Sequence, residues 1–213
     1  MKKYELTDDS ITFMGRKLFR IRAIRSFNDV AVGDLGGYIE KEENLSHDND
    51  AWISDNARIS GNARISDKAR IYGDARISGN ARISDKAHIS GNARICGNAC
   101  ICGNACIFGD ARISGNACIF GNTCSYDNIS ISDNAHISDD ADYLYLKGLG
   151  SENRNTTFFK CKDGHIHVSC GCFSGNLAEF ETKVKKTHGD SKYAKEYLAC
   201  IELVKIHFEE EKK

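Results

Sequence analysis

Three groups of side chains in this sequence could do chemistry. Four arginines, Arg58, Arg76, Arg94 and Arg112, recur every 18 residues. Such a series would suit a phosphate or carboxylate ligand if the chain stacked it on one surface. Six of the ten cysteines lie between Cys96 and Cys124, and Cys96, Cys100, Cys102 and Cys106 have the density of a metal cluster. A third group, Cys161, His165, His167, Cys170 and Cys172, could hold zinc or pair a thiolate with an imidazole. Residue type alone does not decide whether any group converges. The elements that carry them do.

Those elements follow from a six-residue repeat running from Ala51 to about Asp140, with units such as NARISG, NARISD and KARIYG. From Ile53 to Ile137, 14 of 15 positions spaced six apart are Ile, and Ser125 is the exception. Two residues earlier stands Ala in 13 of 15 cases, the others being Thr123 and Ile129. Six residues at 3.6 per turn would scatter these isoleucines around a helix. In a strand, residues two apart point to the same side, so Ala and Ile both face inward and the residue between them faces out. Gly-Asn, Gly-Asp and Asp-Asn follow as turn dipeptides tolerant of positive φ. The pattern predicts short strands alternating with corners, and the absence of proline suits backbone paired on both sides.

The unit Ile-Ser-Gly-Asn-Ala-Arg resembles the aliphatic-x-x-x-small-x unit of the hexapeptide-repeat family, and the likeness covers 90 residues. It implies a mainly β protein built on a left-handed parallel β-helix, with three strands (18 residues) per coil and about five regular coils. It is specific for fold and not for function, because the family includes acyltransferases, γ-type carbonic anhydrases and proteins with no chemistry.

With 18 residues per coil, residues 18 apart stack about 4.8 Å apart. One face then carries Arg58, Arg76, Arg94 and Arg112 beside a row of serines. These arginines must splay into solvent, pair with corner carboxylates such as Asp74 and Asp110, or hold an anion; they are the candidates for binding an anionic small molecule or partner. A second face carries Trp52, Tyr72, Cys106, Phe108, Cys124 and Tyr126, apolar for an outside surface. It is read as the contact of a homo-oligomer, trimer or dimer, unless the terminal segments cover it. The same winding disperses Cys96, Cys100, Cys102 and Cys106 over three faces, so they form no tetrahedral site. His88 and His136 also fall on different faces. No catalytic residue, metal or cofactor is assigned.

The flanks do not repeat. Residues 1–48 are expected to form a β-hairpin turning near Gly15 and a polar cap through Gly33–Leu45, ahead of a β-helix over 49–142. Residues 143–213 are expected to form a small α+β module. It contains a hairpin through Lys162-Asp163-Gly164, a helix opened by a capping box from Asn176 to Glu179, and a second helix with Tyr193, Tyr197, Ile201, Val204 and Phe208 on its apolar stripe. Strand alternation divides Cys161, His165, His167, Cys170 and Cys172 between sheet faces, which argues for a packed core over a zinc site. So small a module should dock on the last coil or on another subunit.

A formal net charge of -1 gives no argument for nucleic acid or an anionic membrane. The start MKKYELTDDS lacks the apolar stretch of a secretory signal, and free thiols suit a reducing cytosol, so a cytoplasmic location in a bacterial host is expected. The layout also resembles bacterial and prophage hexapeptide-repeat proteins. The likeness rests on Phe27-Asn28-Asp29-Val30, Gly36-Gly37-Tyr38 and the segment Ser169–Gly175. That resemblance supplies a phage setting and no established activity, and the arginine column supplies the anionic ligand. Together they give the expectation of a non-enzymatic, phage-type counter-defence factor that sequesters an anionic nucleotide signal or occludes a host protein. A trimeric acyltransferase using acyl-CoA, with His88 as its best-placed histidine, and a structural spacer or virion component are the alternatives.

Overall fold

The computed structural model describes residues 1–125 and 128–209. Two antiparallel strands, β1 (Tyr4–Phe13) and β2 (Arg16–Ala23), lead to β3 (Leu35–Ile39). Then comes one two-residue strand per hexad, β4 to β18, from Trp52–Ile53 to His136–Ile137. Each pairs in parallel with the strand 18 residues away, as in Arg58 with Arg76 and Ile59 with Ile77. The product is a three-sided parallel β-solenoid of about five coils, each side carrying five of these strands. Every described marker isoleucine, with the alanine before it, is buried on the axis.

Corners are held by stacked polar side chains. Asn62, Asn80, Asn98, Asn116 and Asn134 form a ladder in which each amide donates to the next at 2.9 to 3.2 Å. At 18-residue spacing these repeat the coil-to-coil bond, as asparagine ladders do in stacked sheets generally. Ser125 interrupts the isoleucine column. It sits in register with Ile107, is 1% exposed, and its Oγ has no hydrogen-bond partner among the described residues. A buried hydroxyl without a partner costs on the order of 1 kcal/mol or more. Ser125→Ala is therefore expected to raise the urea midpoint, and a lowered midpoint would contradict this reading of the site.

The first coil begins before the repeat does. The segment expected as a polar cap instead supplies β3, which pairs in parallel with β5 (Arg58–Ile59), and Leu45 bridges in parallel to Ile65. Two glycines make this possible. A Cβ on Gly36 would fall 2.6 Å from the Ile53 carbonyl, and one on Gly37 would fall 2.6 Å from that of Ala57. The hairpin β1–β2 turns at Met14-Gly15 as expected and extends the arginine-bearing sheet to eight strands.

At the other end, β19 (Tyr143–Leu149), β20 (Arg154–Lys160), β21 (Ile166–Cys170) and β22 (Phe173–Asn176) form an antiparallel sheet. Helices α1 (Leu177–His188) and α2 (Lys192–Phe208) cover its outer side. The α1 capping box is present, with Asn176 and Glu179 each accepting the other's backbone N–H at 2.9 Å. Alternation along β20 sends Phe158 to the helices and Phe159 into the solenoid core. The module thus docks on the last coil and closes the open end of the solenoid. No helix among the described residues is long and apolar enough to cross a membrane.

Candidate anion-binding site

The four arginines do fall on one side, each on a central strand of the eight-stranded sheet and each in register with the next. Their surroundings divide them into two pairs. Arg58 and Arg76 are half-buried, and their guanidinium carbons lie 5.1 and 5.2 Å from the centre of the Phe13 ring at the hairpin tip. This pair holds the N-terminal hairpin through cation–π contact. Arg94 and Arg112 are exposed, and no ion pair involves them among the described residues.

Those two arginines form one wall of a cleft of about 550 Å³ between the last coils and the C-terminal sheet. The opposite wall brings Arg154, at the start of β20, with Asn155, Thr157, Ser169 and Gly171. Gly171 has a φ of 59°, and a Cβ there would collide with the Arg154 guanidinium. The glycine of the Ser-Cys-Gly-Cys segment thus lets Arg154 lie across the backbone. Three arginines and one carboxylate, that of Asp110, line this cleft, and Asp110 accepts from the Asn92 amide at 2.8 Å. Ser130 completes the floor, and its backbone N–H donates to Thr157 Oγ1 at 3.1 Å, tying the coil to the sheet.

The cleft falls within the usual ligand-site range of about 300–1,000 Å³. Guanidiniums one rung apart repel by about 1 kcal/mol even in water. A phosphate group between Arg94, Arg112 and Arg154 would relieve that repulsion and accept charge-assisted, bidentate hydrogen bonds. Sequence reasoning located Arg94 and Arg112 but missed Arg154, which lies in the non-repeating part.

The apolar face is largely covered at its N-terminal end. Trp52 is 4% exposed, beneath Phe27 and beside Tyr4, so it is withdrawn as an interface residue. Arg70, next in that column, is 5% exposed and paired with Asp29. Tyr72, Cys106, Phe108 and Cys124 are half-buried further along, and Tyr126 lies outside the described residues. Cys100 stacks on Cys118 and Cys106 on Cys124, all as free thiols. Burial is the main cause that raises the acidities' midpoints of Cys102, to about 11, and of Cys106 and Cys118, so these three are neutral thiols at pH 7 and poor nucleophiles. His88 follows Arg70 in this column and so lies on a different face from Arg58, Arg76, Arg94 and Arg112, its ring 6.3 Å from that of Tyr72. In the C-terminal sheet Cys170 packs among the helices, whereas Cys161, His165 and His167 stay together on the other side.

A family model described as the YdcK beta solenoid repeat matches residues 51–67, 57–73, 69–85 and 75–91. These overlapping matches lie in the first regular coils and support a β-solenoid repeat there. No curated protein matches the chain.

Proposed function

We propose that this protein is a non-catalytic binding protein that sequesters a phosphate-bearing small molecule, in its most specific form an anionic nucleotide, between Arg94, Arg112 and Arg154. The observation that carries this reading is the convergence of three arginines against one carboxylate in a single cleft. Hydroxyls and amides from Ser130, Thr157, Ser169 and Asn155 supply further donors for phosphate oxygens. The prophage resemblance gives the biological setting, counter-defence in the cytoplasm of a bacterial host. The remaining apolar patch at Tyr72, Cys106, Phe108 and Cys124 would serve contact between copies of the chain.

Native mass spectrometry of protein purified from its host would report both a retained anion and the subunit number. Calorimetry with pyrophosphate, ADP and a cyclic dinucleotide is expected to show binding tighter than about 1 mM that weakens as salt rises. No binding of any of these probes at low ionic strength, together with no retained anion, would overturn the proposal.

A further inference from the structure

Among the described residues outside the arginine cleft, one cluster of side chains has the composition and placement of a metal centre. It lies where the C-terminal sheet meets the solenoid. Phe159 pairs with His167 across β20 and β21, so Cys161 stands opposite His165 at the end of the same hairpin, and its N–H donates to the His165 carbonyl at 2.9 Å. The alternation that puts Phe159 into the solenoid core puts Cys161 there as well. Two backbone links tie this turn to the last coil, a bridge from Cys161 to Ala135 and a hydrogen bond of 3.0 Å from Lys162 N–H to the Asn134 carbonyl. The next corner residue is Asp133, in a column that reads Gly61, Gly79, Gly97 and Gly115 in the earlier coils.

We propose that Asp133, Cys161, His165 and His167 form a four-ligand zinc site that clamps the C-terminal sheet to the last coil. One ligand atom from each residue lies within 4.8 Å of all the others, and His167 Nδ1 is 3.4 Å from Asp133 Oδ2. Tetrahedral zinc with bonds of about 2.0–2.3 Å places its ligands roughly 3.3–3.8 Å apart. Side-chain rotations therefore suffice to close the shell. Each imidazole also has an outer partner. Ser174 Oγ lies 2.8 Å from His167 Nε2, which leaves Nδ1 for the metal, and Asp163 Oδ1 lies 2.5 Å from His165 Nδ1, which leaves Nε2. Such outer hydrogen bonds orient metal-ligating histidines.

The donor set selects among metals. One sulfur, two nitrogens and one oxygen in a tetrahedral arrangement suit zinc and not calcium or magnesium, which take oxygen ligands. Charge balances on binding: the Cys161 thiol releases its proton to solvent, and thiolate and Asp133 carboxylate together neutralise the dication. Four protein ligands leave no open position, so the site is structural.

The test uses the full chain without an affinity tag, exposed to zinc and then dialysed. Elemental analysis is expected to find one zinc per chain, retained in Cys172→Ser and Cys200→Ser and lost in Cys161→Ser. Ser174→Ala should weaken zinc binding by about 10- to 100-fold. Cobalt(II) added to zinc-free wild-type protein should give a thiolate-to-cobalt charge-transfer band, a readout that holds even if Cys161→Ser fails to fold. Metal-free wild-type protein, cobalt binding without that band, or zinc retained in Cys161→Ser would each overturn the proposal.

Discussion

Replacing Arg94 and Arg112 together by glutamate is expected to weaken anion binding by about a thousandfold while leaving the solenoid folded. Hydrogen bonds to charged groups contribute about 1.5–3 kcal/mol each. Loss of two such contacts gives about 4 kcal/mol, which is about three orders of magnitude in affinity. Charge reversal adds repulsion from the two new carboxylates beside Asp110. Stability should change little, because both side chains are exposed and the like-charge stack is replaced by another of opposite sign. Arg58→Glu with Arg76→Glu is the informative contrast. Those side chains flank Phe13, so their loss should loosen the N-terminal hairpin and leave anion affinity within a few-fold of wild type. Calorimetry and urea unfolding on both double variants separate the two roles. Equal loss of binding in both would mean that the whole column, and not the cleft, attracts the anion.

Legibility in the sequence followed the period. Ile and Ala at fixed spacing determine which side of each strand is buried, so the three faces could be laid out from residue numbers, and the observed register places them there. The period is silent where a single copy does the work. Tyr38-Ile39 form a rung on Arg58-Ile59 at a separation of 20 residues instead of 18, and the close approach rests on two glycines with no counterpart in the repeat. Arg154 joins Arg94 and Arg112 through docking of the C-terminal sheet, a tertiary event that no local spacing encodes. The C-terminal cysteines and histidines were half legible. Alternation does separate Cys170 from Cys161, His165 and His167, but the separation leaves three ligands on one side. The fourth, Asp133, comes from a corner of the last coil.

Trp52→Ala is expected to destabilise the protein by about 3–5 kcal/mol, at every protein concentration and without change in oligomeric state. Trp52 stands on the face whose aromatic residues suggest a subunit contact, yet intramolecular groups already cover it. The Phe27 ring meets it edge-on with centroids 5.5 Å apart, and Tyr4 approaches at 6.5 Å. Tyr4 is itself held by its hydroxyl, whose one proton is shared between the carbonyls of Glu42 and Leu45, at 2.9 and 2.8 Å. Truncation at Trp52 would leave a cavity bounded by groups fixed to the first coil, which limits collapse and places the cost near the upper end of the range. In a solenoid each coil leans on its neighbours, so the damage should begin at the N-terminal end and spread inward. Amide hydrogen exchange should therefore accelerate first around Ile53 and Ile59 and last around Ile119. A different result, loss of oligomer with unaltered monomer stability, would return Trp52 to the interface and remove Phe27 and Tyr4 as its cover. The same comparison at Tyr72, which these two rings do not reach, then asks whether the uncovered part of the face joins subunits. Tyr72→Ala should cost less than Trp52→Ala in monomer stability, and any dependence on protein concentration should appear at Tyr72 alone.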